Sequence, residues 1–243
     1  MHLNRFIGNF DFSNAHGLLE IKDAGTIRQI TRVLRLGAGD SVILGDGNGR
    51  EFVAEIKKID RQKIYLLLRK ENGTEIKESR TVTLYSAILK RENFELVVQK
   101  ATEIGVSEIV PVLTERTVKK RVRTDRLADI AREASEQSGR RFIPKIREPI
   151  PFSQALDEIE TGDYAVFFDP MGASFSAKTP NNTGHIRIYI GPEEGWTEKE
   201  KNLAQEKGSL ILRLGTRILR SETAAIVGLY QILHSFEGEN PVE

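Results

Sequence analysis

Two loops of this 243-residue chain begin with glycine directly after an apolar run, and both carry residue types that suit a small-molecule site. The first loop, GPEEG, starts at Gly191, and the second starts at Gly215 and continues as TRILRSET. Glycine lets a ligand approach the backbone closely, and the second loop adds hydroxyl, guanidinium and carboxylate groups. Either glycine alone is explained by a simple turn, but two such loops on consecutive strands predict a pocket.

Neither loop has the pattern of a phosphate cradle. Neither is a G-x-G-x-x-G turn or a Walker P-loop, which are the usual motifs that bind a pyrophosphate or triphosphate. Loops made of backbone groups and apolar side chains suit an adenine ring and a thioether better. A nucleotide-dependent α/β enzyme is therefore disfavoured.

The elements around the two loops predict a parallel α/β sheet. β-rich runs at 186–190 and 210–214 precede the loops. Thr197 and Glu200 have capping-box spacing for a helix between them, and Ser221 caps a final helix. Ligands of such sheets bind outside the carboxyl ends of the strands. A third strand, expected to stop at Asp169-Pro170, should bring its end to the same edge.

The rest of the second domain continues the alternation of strands and helices. Gly105 is expected to end a strongly amphipathic helix that contains FELVVQKATEI, and Pro111 suggests that the next strand is bent or lies at an edge. The predicted strands cover 81–89, 108–113 and 164–168, the predicted helices 127–138 and 152–160, and a polar loop 171–184.

The first part of the chain predicts a small all-β barrel. Turn residues separate short β-rich runs at 41–44, 51–59 and 63–68. One helix is expected over 23–36. The polar stretch 71–80 predicts a linker, which divides the chain into domains 1–72 and 73–243.

Composition excludes several classes of protein. Hydrophobic residues make up 39% and charged residues 29% of the chain, no run is apolar enough to span a membrane, and the N-terminus lacks a signal-peptide core. The absence of cysteine excludes a cysteine nucleophile and is compatible with a cytoplasmic location. The four histidines lack metal-ligand spacing, so we expect no metal.

Positive charge is concentrated in one part of the chain. Between residues 115 and 147 there are eleven Lys and Arg but five Asp and Glu, while the whole chain carries only +1. This asymmetry weakly indicates that the chain binds a polyanion. The arginines of the 23–36 helix either form a solvated face or contact RNA, and the pattern does not choose between them.

Several motifs together resemble the bacterial small-subunit ribosomal RNA uridine-N3 methyltransferase family, of the SPOUT superfamily of knotted methyltransferases. The motifs are VLRLGAGD, QKATEIGV, EASEQSGR, IGPEEGW and LGTRILRSETAA, in this order along nearly the whole chain. One departure is Glu194, where the family usually has glycine.

The resemblance implies a SPOUT-type parallel sheet with a C-terminal trefoil knot, preceded by a PUA-like barrel that helps to bind RNA. It also implies a homodimer with S-adenosyl-L-methionine bent in the knot. The residues expected to bind the cofactor are Phe168, Asp169, Ile190, Gly191, Pro192, Glu193, Leu214, Gly215, Ile218, Leu219 and Thr223.

The implied reaction is methylation of N3 of a uridine in 16S ribosomal RNA. The expected substrate is this RNA within an assembled small subunit or a late precursor. The N3 proton must leave, so we expect Glu136 or Glu222 to act as general base and Arg140 or Arg220 to stabilise the uracil anion. Ion pairing within the knot is a competing role for Arg220 and Glu222. The residues expected to contact RNA are Arg5, Arg32, Arg35, Arg116, Lys119, Lys120, Arg121 and Arg123.

Two other functions remain open at this point. A sister SPOUT enzyme that methylates a transfer RNA or the large-subunit RNA would share the barrel and the basic segment. A non-catalytic RNA-binding assembly factor would retain the fold without methyl transfer.

Overall fold

The computed structural model describes residues 3–13, 17–74, 80–118, 120–175 and 184–237. Its contacts divide the chain into two compact units. Unit 1 comprises Met1–Lys77 and Ser135–Ile143, and unit 2 comprises Glu78–Ala134 and Pro144–Glu243. Each unit contains its own sheet.

Unit 1 is built on a five-stranded, mostly antiparallel sheet in the order β1-β3-β4-β5-β2, in which only β1 and β3 run parallel. Its elements are β1 (Arg5–Ile7), β2 (Leu18–Ile21), α1 (Ala24–Arg28), β3 (Ser41–Gly45), β4 (Arg50–Ile59) and β5 (Ile64–Thr74). Apolar side chains that alternate along the strands, such as Phe52, Ala54 and Ile56, form one buried cluster. The predicted β-rich runs correspond to β3, β4 and β5.

Three predictions for unit 1 need correction. The helix expected over 23–36 is α1, capped by Asp23, followed by a π-helical turn over Gln29–Val33. The expected linker begins inside a strand, because β5 continues to Thr74, and residues 75–79 of it lie outside the described part. Strands β1 and β2 were not predicted, since three or four residues are too few to show a period.

Unit 2 is an α/β layer structure with an all-parallel sheet in the order β12-β10-β11-β6-β7-β8, and β9 also pairs with β7. Its strands are β6 (Thr81–Ala87), β7 (Glu108–Leu113), β8 (Lys145–Ile146), β9 (Ile150–Pro151), β10 (Tyr164–Ser174), β11 (His185–Ile190) and β12 (Leu210–Arg213). Its helices are α2 (Arg91–Ile104), α3 (Thr124–Ser138), α4 (Phe152–Asp157), α5 (Glu198–Glu206) and α6 (Ser221–Glu237), with the last residues of α3 belonging to unit 1. The prediction of a parallel α/β sheet is confirmed.

Strand β10 does not stop at Asp169-Pro170 as predicted. Its pairing with β12 breaks after Phe168 and resumes at Ala173, so the Asp-Pro dipeptide forms an irregularity within a longer strand. Gly172 makes the return possible, because a Cβ there would lie 2.7 Å from the backbone carbon of Leu212. The polar loop predicted over 171–184 therefore starts as a strand, and residues 176–183 lie outside the described part.

Pro111 lies in a strand with neighbours on both sides, not at the edge. Strand β7 pairs with β8 at Glu108 and Ile109 and with β9 at Val112 and Leu113. Pro111 falls between these two short pairings, where its missing N–H costs no ladder hydrogen bond.

No helix in the described part of the chain is long and apolar enough to cross a membrane.

Candidate active site

The carboxyl ends of three neighbouring strands surround a cavity of about 260 Å³ in unit 2. Strands β12, β10 and β11 are adjacent and parallel, with Phe168 opposite both Ile190 and Leu212, so their ends share one edge. The cavity is lined by Phe168, Asp169, Pro170, Ile190, Gly191, Pro192, Glu193, Glu194, Gly195, Trp196, Arg213, Leu214, Gly215, Arg217, Ile218, Leu219, Ser221 and Ala224. Backbone groups and apolar side chains predominate, as the two loops indicated.

Ten of the eleven residues expected to bind the cofactor line this cavity. The exception is Thr223, which is half-buried in the first turn of α6 and does not reach the lining. Sequence reasoning did not assign Trp196 to the site. A tryptophan directly after a glycine-rich loop was the available signal, but it is equally typical of a core residue.

Trp196 forms one wall of the cavity and ties two strand ends together. Its indole Nε1 donates a hydrogen bond of 3.1 Å to the carbonyl oxygen of Phe168. Its ring packs against Phe167 and Phe152, at centroid distances of 4.4 and 4.7 Å. A Cβ on Gly191 would lie 2.9 Å from the indole, so only glycine fits between this wall and the end of β11.

The loop after β11 tolerates Glu194 because its unusual backbone conformation lies one residue later. Gly195 has φ +71°, the region that favours glycine, whereas Arg35 is the one non-glycine residue with positive φ among those described. The side chain of Glu194 is exposed. The departure from the family motif therefore leaves this turn intact.

Two residues of the segment after β7 form hydrogen bonds with this loop and with the helix that follows it. Nη1 of Arg116 donates to the carbonyl oxygens of Glu194, Gly195 and Trp196, at 2.7, 3.5 and 3.3 Å. The backbone N–H of Glu115 donates to Oε1 of Glu200 at 3.0 Å. Glu200 is also half of the predicted capping box that starts α5, which the structure confirms. Arg116, expected to contact RNA, thus contacts the cavity loop.

Helix α6 brings a buried carboxylate close to the cavity. Ser221 and Ala224 line the cavity, and Glu222 lies between them in the chain with only 8% of its surface exposed. Its Oε2 is buried and has no hydrogen-bond partner within the described residues. Gly228 lets the helix approach β10, since a Cβ there would lie 2.7 Å from the Phe168 ring. Arg220, just before the helix, is exposed.

Glu136 and Arg140 belong to unit 1 and not to the unit that contains the cavity. Glu136 is buried, and its Oε1 accepts a 2.8 Å hydrogen bond from the backbone N–H of Ile7. Arg220 and Glu222 lie in unit 2, and Glu136 and Arg140 lie in unit 1. Nothing in the spacing EASEQSGR signalled that this segment pairs with the first strand of the chain.

The residues expected to contact RNA fall into different settings. In unit 1, Arg5 pairs with the fully buried Glu51 at 2.6 Å, while Arg32 and Arg35 are exposed. The residues Lys120, Arg121 and Arg123 are exposed in unit 2, and Lys119 lies outside the described part.

Among the residues described, no group of three or more His, Asp or Glu side chains is arranged to hold a metal ion. Asp169 at the rim is held by the N–H of Met171 at 2.8 Å and by Nζ of Lys201 at 3.5 Å. These contacts fix the carboxylate at the end of the cavity, where it can accept hydrogen bonds.

The chain matches two protein-family models. A model described as an RNA methyltransferase domain matches residues 77–233, and one described as an RNA methyltransferase PUA domain matches residues 28–69. The ribosomal RNA small subunit methyltransferase E of Synechocystis is 33% identical over 85% of this chain and 70% of the relative. That of Rickettsia conorii is 30% identical over 88% of both.

A solved structure is similar over nearly the whole chain. The crystal structure of a ribosomal RNA small subunit methyltransferase E from Neisseria gonorrhoeae, bound to S-adenosyl methionine, has a TM-score of 0.89 and 28% identity. The similarity covers 96% of this chain and 98% of that one.

Proposed function

The chain belongs to the ribosomal RNA small subunit methyltransferase E family, and on that premise we propose that it methylates N3 of a uridine in 16S ribosomal RNA. The chain is an enzyme, and S-adenosylmethionine is its methyl donor. The observation that carries the proposal is the cavity at the ends of β10, β11 and β12, which gathers ten of the eleven residues expected to bind that donor. The relatives named for small-subunit methylation decide the substrate class.

The residues of the cavity fit S-adenosylmethionine. The adenine ring suits the apolar side chains of Ile190, Leu214 and Leu219, together with backbone groups that can hydrogen-bond its edge. Gly191 has no side chain, so the backbone at this point of the cavity packs directly against the Trp196 ring. The charged rim contains both acidic residues and arginines, which can pair with the ammonium and the carboxylate of the amino-acid part.

The bound donor supplies an electrophilic methyl group on a sulfonium. In the reaction the N3–CH₃ bond forms, the S–CH₃ bond breaks and its electron pair stays on sulfur. The N3 proton leaves for a base. The walls hold the donor so that attack in line with the breaking bond is favoured, and such positioning supplies much of the rate.

Glu222 is the carboxylate we favour as general base. It is buried beside the cavity with one oxygen unpaired, and because such an oxygen costs stability, its presence there favours a role in the reaction. Glu136 already accepts a hydrogen bond from Ile7 and is the alternative. To Arg220, exposed just before α6, we assign the stabilisation of the uracil anion or the binding of a phosphate, and Arg140 is its alternative.

Other features of the proposal rest on the family. We assign residues 1–72 to a PUA-like RNA-binding domain and 73–243 to the methyltransferase domain, with a trefoil knot around the cavity. We also propose a cytoplasmic homodimer that acts on the assembled small subunit or a late precursor.

The test is methyl transfer from labelled S-adenosylmethionine to small-subunit ribosomal RNA, followed by mass-spectrometric location of the label. Label on N3 of one uridine of 16S RNA supports the proposal. Label on transfer RNA or large-subunit RNA shows a sister enzyme, and no label on any RNA shows a non-catalytic binder.

A further inference from the structure

A second and larger cavity lies in unit 2, outside the site described above. It is a cleft of about 660 Å³ between the first two turns of α2 and residues 118 and 120–123, which follow β7. Strands β6 and β7 end beneath it, so it opens at the same edge of the sheet as the cofactor cavity.

Positive side chains dominate the rim of this cleft. Five cationic residues line it, Arg91, Lys120, Arg121, Arg123 and Arg126, against one carboxylate, Glu95. Glu95 lies 2.9 Å from Arg91 and 3.9 Å from Arg126, and so orients both guanidinium groups. Within the described residues Lys120 and Arg121 have no ion-pair or hydrogen-bond partner. A ligand of this cleft should carry negative charge, because arginine pairs well with phosphate oxygens.

The cleft also offers apolar surface. Leu89 and Phe94 line it from the core and are at most 2% exposed, so the accessible apolar groups come from other residues. Val118 is 86% exposed and Val122 is half-buried, so both present methyl groups to the opening. A bare phosphate would not use these groups. A nucleotide, with a flat ring and a phosphate, uses both the apolar and the cationic parts.

One hydrogen bond joins the segment that lines the cleft to the loop that lines the cofactor cavity. Lys90 lies in the chain between the cleft residues Leu89 and Arg91, and its backbone N–H donates to Oε1 of Glu193 at 3.3 Å. Glu193 lines the cofactor cavity. A strand of RNA that delivers a base to one cavity would therefore pass the other.

We propose that this cleft binds a nucleotide of single-stranded RNA next to the target uridine. The base lies against Val118 and Val122, and its phosphate contacts Arg121 and Arg91. The inference rests on the proposed function for the identity of the RNA, but binding to the cleft can be measured without methyl transfer.

The experiment compares two labelled probes by fluorescence anisotropy with the full chain: an eight-nucleotide oligouridylate and an abasic chain of equal length. The wild-type protein should bind the oligouridylate about fivefold more tightly, since each base in contact adds affinity. Arg121→Ala should weaken both probes about fivefold and reduce the salt dependence. Val118→Ser should remove the preference for bases and leave the abasic probe unchanged. Lys207→Ala removes an exposed cation just after α5, outside the cleft, and should leave both affinities unchanged.

Two results would overturn the inference. If Arg121→Ala binds both probes like the wild type, the cleft does not hold the RNA backbone. If Val118→Ser retains the preference for bases, no base lies in the cleft. Methyl transfer to small-subunit RNA and S-adenosylmethionine affinity are measured on the wild-type protein in parallel, so a failure of the proposed function appears there and not in the probe comparison.

Discussion

Nη1 of Arg116 lies 2.7 Å from the carbonyl oxygen of Glu194, and this contact joins the basic segment after β7 to the loop of the cofactor cavity. The same guanidinium reaches the next two carbonyl groups of the loop. An arginine hydrogen-bonded to three successive carbonyls restricts the loop in the conformation that lines the cavity.

Arg116→Ala should weaken S-adenosylmethionine binding about tenfold with little loss of overall stability. Removal of the guanidinium leaves the loop free to move, and the cofactor must then order it on binding. Trp196, the single tryptophan of the chain, lines the cavity, so a titration of its fluorescence gives the dissociation constant.

Lys207→Ala is the matched control for this measurement, because it removes a cation whose exposed partner, Asp157, is not part of the cavity. Its affinity for the cofactor should equal that of the wild type. If Arg116→Ala also binds the cofactor like the wild type, the contact with Glu194 does not organise the loop.

Gly191→Ala should lower the free energy of unfolding by about 1–3 kcal/mol, the usual cost of overpacking. The added Cβ would lie 2.9 Å from the Trp196 ring, and that ring cannot move away because Phe152 and Phe167 pack against it. Urea denaturation measures the change, and cofactor binding should be lost along with it.

Gly215→Ala provides the comparison on the neighbouring loop. Nothing lies within 4 Å of a Cβ at that position and its φ is not positive, so the free energy of unfolding should stay within about 0.5 kcal/mol of the wild type. Equal stability of both variants would show that the wall formed by Trp196 yields to a methyl group.

Glu222→Gln should reduce kcat by about 10²–10⁴-fold while S-adenosylmethionine still binds, because a positioned general base contributes that much. The substitution keeps the size of the side chain and removes a buried charge with an unpaired oxygen, so the protein should be no less stable. Single-turnover methyl transfer separates the chemical step from product release.

The corresponding substitution in unit 1, Glu136→Gln, separates the two candidate bases. Oε1 of Glu136 accepts from the backbone N–H of Ile7. The amide oxygen of Gln still accepts this bond but lacks the negative charge that strengthens it, so the substitution should lower stability more than it lowers kcat. The opposite pattern, with kcat lost in Glu136→Gln and retained in Glu222→Gln, would transfer the role of base to Glu136.

The sequence predicted what depends on local patterns. The capping box at Thr197 and the alternation of apolar runs with glycine loops determine α5 and the parallel sheet, and the family resemblance supplied ten residues that line the cavity. Long-range pairing was not predictable. The hydrogen bond between Ile7 and Glu136 joins residues 129 positions apart, and no periodicity in either segment encodes it.

The partners of a buried charge could not be predicted from the sequence either. Arg187 lies in the middle of an apolar run and is 5% exposed, but it pairs with Asp163 at 2.5 Å and contacts the Tyr85 hydroxyl at 2.6 Å. A run such as IRIYI indicates a buried strand without showing which partner satisfies its arginine. Only the register of β11 beside β6 and β10 brings these groups together.

Glu158 should make the stability of the protein dependent on pH below about pH 5. Two hydrogen bonds from Arg147, at 2.6 and 2.7 Å, lower the pKa of this carboxyl below its usual value, and the Tyr85 hydroxyl adds a third. Because the pKa is lower in the folded state, the stabilisation is complete above the unfolded pKa of about 4.3 and is lost as the pH falls through the folded pKa.

Glu158→Gln should therefore cost about 1–3 kcal/mol at pH 7 and progressively less at pH 4 and pH 3, as measured by urea denaturation. Glu206→Gln, an exposed carboxyl at the end of α5, controls for the loss of one negative charge. A cost for Glu158→Gln that is the same at every pH would show that packing, and not the ion pair with Arg147, accounts for it.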